Sequence, residues 1–175
     1  MLHATYSRPA TQEYPPSIAG YVEQVPNGRM SDILQAQLTA TQTLLWALPV
    51  ETLQARPTPT DWNILEVIGH ITDVEQIFAS RALRIARGDT SPQPGFDQDA
   101  YVAIAQSAQR TIGDLLDAYA AQRRATIAML RSFDEVAWQR MGIVSDAPIS
   151  VRACIYMIAG HELYHIADFH ERYGI

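Results

Sequence analysis

The sequence predicts an all-α protein, a four-helix bundle preceded by an extended N-terminal arm. Apolar residues recur at helical spacing over four long stretches. No stretch sustains the period-2 alternation of a half-buried strand. Breaks rich in Pro and Gly separate the stretches by moderate loops. Four amphipathic helices bury their apolar stripes most simply against one another. A chain of 175 residues is long enough for one sizeable core. Two regions are expected: an arm over 1–29 and a bundle domain over 30–175.

The arm carries Pro9, Pro15, Pro16 and Pro26, which forbid a continuous helix there. It reads as extended, ending in a Pro26-Asn27-Gly28 turn. Tyr14, Ile18, Tyr21 and Val22 would pack it on the body or on a partner subunit. Ser31 or Asp32 can cap a first helix over 31–48, with Leu34, Leu38 and Leu45 on its apolar face. Pro49 ends it. Thr60 or Asp61 can cap a second helix over 62–87, whose Leu65, Ile68, Ile71, Val74 and Phe78 keep helical spacing. Gly88-Asp89 stops it, residues 91–95 read as a loop, and a short helical stretch runs through Ala105. A third long helix is expected over 108–132. Asp134 can cap a short helix ending near Gly142, and residues 143–149 read as a loop. Ser150 then caps a last helix over 151–173.

Composition narrows the function classes. Net charge is −6 with 13 basic residues and no Lys/Arg stripe, which argues against nucleic acid as a partner. The densest basic group, Arg81, Arg84 and Arg87, reads as a solvated helix face. No apolar run reaches the ~18–20 residues that span a bilayer. The N-terminal stretch lacks the basic and apolar segments of a signal peptide. The single cysteine, Cys154, rules out an intramolecular disulfide and fits a reducing compartment. A soluble, cytoplasmic protein is the expectation.

The chemistry concentrates in histidines. Cys154, Ile158, His161, His165 and Asp168 follow one another at helical spacing and form one stripe of the last helix. His161 and His165 therefore point the same way and can chelate one ion. His70 shares its face of the second helix with Val67, Val74 and Ile77, so it too should turn inward. A single inward histidine is more often a hydrogen-bonded core residue than a ligand. Three facing one interior without a metal are harder to satisfy, because protonated imidazoles would repel. His161-Glu162-Leu163-Tyr164-His165 also spells the H-E-x-x-H helix of zinc proteases, with Glu162 as general base. Ten residues follow His165, too few for a downstream helix with a glutamate ligand, and they lack the Gly and His offsets of the other protease form. Glu162 is instead expected on the helix surface or beside a ligand.

These residues carry a family resemblance. The run Trp62-Asn63-Ile64-Leu65-Glu66-Val67-Ile68-Gly69-His70-Ile71-Thr72-Asp73-Val74-Glu75 resembles the second-helix signature of the DinB-like (damage-inducible) superfamily. Gly95-Phe96-Asp97-Gln98-Asp99-Ala100-Tyr101 is similar to the loop that follows it, and Ala159-Gly160-His161-Glu162-Leu163-Tyr164-His165 to its last-helix H-x-x-x-H. The resemblance implies an up-down-down-up four-helix bundle and a metal site of His70, His161 and His165. It ranks His70 ahead of His170 as third ligand and leaves His3 without a role. It implies a homodimer, since bundles of this family commonly pair. The family often has Gln three residues beyond the last ligand, where this chain has Asp168.

The implied activity is that of a metal-dependent, hydrolase-like enzyme acting on a small molecule, with a divalent transition metal, zinc or nickel, holding an activated water. Such a water reaches a pKa near ~7. Glu66 and Asp73, at i−4 and i+3 from His70, are the candidate catalytic residues, orienting an imidazole or handling protons. Asp97 and Asp99 read as caps; Trp62, Phe78 and Tyr101 could line a pocket. The alternatives are a metal-dependent thiol S-transferase, with Arg81, Arg84 or Arg152 anchoring a carboxylate-bearing thiol, and a non-catalytic metal-binding or stress-response module. Cys154 reads as a buried structural residue, about two turns from His161.

Overall fold

A computed structural model describes residues 7–175 of the chain, so His3 lies outside the described residues. The helices are α1 (Ala19–Gln24), α2 (Met30–Trp46), α3 (Val50–Gln54), α4 (Ile64–Ala86), α5 (Gln98–Ala105), α6 (Ile112–Leu130), α7 (Glu135–Gln139) and α8 (Val151–Arg172). A hairpin of β1 (Met141–Val144) and β2 (Ala147–Ser150) leads into α8.

The long helices α2, α4, α6 and α8 form the bundle. α4 lies against α6 and α8, and α2 lies against the other sides of the same two. Ile68 and Ile71 pack with Leu115, Leu116 and Tyr119, while Phe78 and Ala82 pack with Ile127 and Leu130, so α4 and α6 run parallel. α8 runs against α4, with Phe169 in the cluster of Ile64 and Leu65, and Cys154 and Ile158 in that of Val74 and Phe78. Gln37 and Thr41 of α2 bond Ala159 and Glu162 of α8 in rising order, which makes that pair parallel. This is the up-down-down-up order. The apolar core falls into two clusters, one toward the hairpin and one toward the C-terminus of α8.

Several local expectations need correction. The arm is not simply extended: short 3-10 turns at Thr11–Glu13 and Pro16–Ile18 lead into α1. The prolines bracket α1 rather than interrupt it. Its Val22 is fully buried, and α1 lies on α8. α2 begins at Met30 with no side-chain cap from Ser31 or Asp32. Pro49 does more than end a helix, since it sits at the N-cap of α3. α4 is capped by Asn63, not Thr60 or Asp61. The Asn63 side chain accepts from the Glu66 amide, and Glu66 accepts from the Asn63 amide, a reciprocal capping box. α6 starts late, at Ile112 with Thr111 as cap, because left-handed Gln106 and a 3-10 turn precede it. The expected loop over 143–149 is the hairpin. Ser145 and Asp146 both adopt positive φ, as a two-residue primed turn requires. Asp97, Asp134 and Ser150 cap as expected.

Candidate metal centre

α4 and α8 cross where their glycines allow close approach to other segments. A Cβ on Gly160 would lie 1.9 Å from the carbonyl oxygen of Tyr21. One on Gly69 would lie 2.3 Å from the Ser107 hydroxyl. Each glycine immediately precedes a histidine of the centre. α1 can therefore lie directly on α8, and its Tyr21 ring meets His161 edge-on with centroids 5.5 Å apart. The Trp62 ring stands 4.9 Å from that of His70.

His70, His161 and His165 converge. The Nε2 atom of His161 lies 3.1 Å from His70 Nε2 and 3.1 Å from His165 Nε2. One ligand atom from each of the three lies within 4.8 Å of the others. A single ring nitrogen carries one proton or one lone pair, so His161 Nε2 cannot satisfy two imidazole partners at once. A shared ion can: nitrogens held ~2.0–2.1 Å from one metal stand about 3 Å apart. The electrostatics agree. Burial pushes the pKa of His70 down to about 4. Burial, then the neighbouring His70, takes His165 to about 3. Burial and both neighbours place His161 well below its ordinary value. All three are neutral at pH 7, as metal ligands must be. The cluster is able to chelate a divalent metal.

The histidines lie in an open cleft of about 320 Å³ walled by Trp62, Tyr21, Tyr164 and Tyr173. Asp61, Asp99, Asp168 and Arg172 supply its charges. Arg172 bonds Asp61 at 2.6 Å and lies 3.7 Å from Asp168. Burial raises the Asp168 pKa, with Arg172 opposing. Glu66 and Asp73 do not line this cleft. Glu66 closes the α4 capping box and pairs with Arg56 at 2.8 Å. Asp73 lines a different cavity. Of the expected pocket aromatics, Trp62 reaches the histidines, Tyr101 lines the other cavity and Phe78 is core.

Glu162 overturns its expectation as a surface or ligand-side carboxylate. It is 1% exposed and turned into the bundle. There it accepts from Thr41 at 2.6 Å and Tyr119 at 2.7 Å, and pairs with Arg123 at 2.5 Å. Arg123 is fully buried and also holds Glu75 at 2.8 Å. Burial alone would lower the pKa of this guanidinium; the two carboxylates outweigh it and hold the pKa above its ordinary value. Sequence reasoning missed this layer, because charges at isolated helical positions look solvated until four helices close around them. The glycine before each of His70 and His161 was a readable signal of close packing.

The family model of the DinB superfamily matches residues 33–169. The chain belongs to the DinB superfamily. The solved structure of YfiT from Bacillus subtilis, described as a probable metal-dependent hydrolase with an unusual four-helix bundle topology, superposes with a TM-score of 0.71. The match covers 93% of this chain and 94% of that one at 16% identity, so the likeness is one of fold. No curated protein matches the chain. Among the described residues, no helix is long and apolar enough to cross a membrane.

Proposed function

We propose that this DinB-superfamily protein is a metal-dependent enzyme of hydrolase type acting on a small molecule, with His70, His161 and His165 as ligands. The convergence of three neutral imidazoles, two buried and His165 partly buried, in an open cleft carries this reading. A divalent ion bound there supplies a Lewis acid and a water acidic enough to ionise near pH ~7. Three neutral imidazoles from His70, His161 and His165 would leave a divalent charge uncompensated, which would favour an anionic substrate group in the cleft. Zinc and nickel both accept imidazole. Trp62 and Tyr21 fix the His70 and His161 rings by packing and restrict water on their flanks. Asp168, on the cleft wall with its pKa raised by burial, takes the proton-holding role that Glu66 and Asp73 were expected to fill. Glu66 acts at one remove, through the capping box that begins the helix carrying His70. The family likeness favours a homodimer, and the single cysteine, Cys154, fits a reducing cytoplasmic setting.

Elemental analysis of untagged protein tests the centre. About one transition-metal ion per chain is expected, and His165→Ala should weaken binding by at least ~100-fold. The wild type should hydrolyse some member of an ester and amide panel that His165→Ala does not. Failure to bind any stoichiometric transition metal sinks the reading.

A further inference from the structure

A second cavity, of about 680 Å³, lies between α4 and the segment 93–105 and shares no lining residue with the histidine cleft. Its volume is that of a small-molecule site. Arg81, expected on a solvated face, is 5% exposed and lines it. Other arginines differ: Arg84 pairs with Asp89 at 2.7 Å and Arg152 with Glu13, while Arg87 donates to exposed Ser132. Arg81 has no carboxylate partner among the described residues. Its Nη2 donates to the Pro94 carbonyl at 2.6 Å. Phe78 and Phe96 flank the guanidinium at 4.7 and 5.5 Å. An arginine keeps its charge however deeply it is buried, and a guanidinium has five N–H donors. A buried cation without a counter-ion is costly unless an anion arrives.

Gln93 adds an independent observation. It lines the same cavity, is 5% exposed, and its Nε2 has no hydrogen-bond partner among the described residues. The backbone around it is pinned: Gln93 N–H donates to Ile143 O, and Ser145 N–H donates to Gln93 O, both at 2.9 Å. The hairpin thus holds the loop while leaving the amide unused. Asp73 also lines the cavity, eight residues from Arg81 and so about 12 Å away along α4. That places the anion-accepting end at Arg81 and Gln93. The rest of the wall sets Gln76, Ser80 and the Asp89-paired Arg84 beside apolar side chains, among them Phe96, half-exposed Tyr101 and largely exposed Ile104.

We propose that this cavity is a binding site for a small organic acid, whose carboxylate meets Arg81 and the Gln93 amide and whose apolar body lies along Phe96, Tyr101 and Ile104. The site is separate from the metal centre. Benzoate is a suitable probe, titrated into the 15N-labelled full-length chain. It should shift the Gln93 side-chain amide saturably, with a Kd of roughly 0.1–1 mM for a ligand of this size. Arg81→Met should weaken binding by at least ~10-fold, and His165→Ala should leave it unchanged. Gln93→Leu, which keeps the cation, should weaken it several-fold and serves if Arg81→Met does not fold. Neutral benzamide should bind far less well. The assignment is overturned if the Gln93 amide shows no saturable shift, if benzamide matches benzoate, if inorganic phosphate binds more tightly than benzoate, or if a folded Arg81→Met binds normally.

Discussion

His161 and Glu162 are sequence neighbours with opposite surroundings. One residue turns a helix by about 100°, so His161 meets the cleft while Glu162 enters the bundle interior. H-E-x-x-H is thereby divided into a pair of imidazoles able to chelate and a structural anchor. Cys154 is another residue whose surroundings decide its chemistry. It is fully buried, and burial pushes its thiol up to about 12, with Arg81 opposing. The thiol ionises near pH 9 only in the unfolded chain. Its contribution to stability is therefore intact below about pH 9 and lost as pH rises toward 12, since the unfolded state then binds fewer protons. Native protein at pH 8 should react with a thiol reagent no faster than it unfolds, and one thiol should react promptly in denaturant. Prompt labelling of the native thiol would contradict this.

At the scale of elements, α1 is held by close approach. An alanine usually stabilises an exposed helix interior relative to glycine by about 1 kcal/mol. At position 160 the sign should reverse, because the new Cβ meets the Tyr21 carbonyl, which is backbone and cannot rotate aside. Gly160→Ala should lower stability by about 1–3 kcal/mol and expose Tyr21 and the amides of α1 to exchange. A gain in stability would show that α1 is not seated on α8. Weakened metal binding should accompany the loss, since Tyr21 packs on His161.

At the scale of the whole molecule, Arg123 ties the bundle together. It pairs with Glu75 of α4 and Glu162 of α8 and donates to the Leu34 carbonyl of α2. A buried triad of this kind is weak evidence of net stabilisation, yet breaking it from one side is expensive. Arg123→Met leaves two buried carboxylates and should cost about 3–5 kcal/mol in urea denaturation. Adding Glu75→Gln and Glu162→Gln should recover a good part of that. A loss below ~1 kcal/mol for the single variant would mean that the layer is solvated.

Much of this architecture was readable in the sequence, for physical reasons. Helical periodicity exposes the apolar face of each long helix, and i, i+4 spacing on α8 forces His161 and His165 to one side. Asp134 and Ser150 announce caps through local hydrogen bonding. The hairpin was missed because Ser145-Asp146 is a weaker turn signal than Asn-Gly. The start of α4 was misplaced because three polar residues compete and only Asn63 has Glu66 at the reciprocal position. Single-helix patterns cannot tell which charges the partner helices will enclose. The sequence by itself determined the helices, their inward stripes and, with the family likeness, the three histidines. Only tertiary packing decided that Glu162 faces Arg123, that Arg81 is buried with no counter-ion among the described residues, and that Asp168 rather than Glu66 borders the cleft. Periodicity is a property of one helix, whereas burial of charge is a property of the surfaces that meet around it.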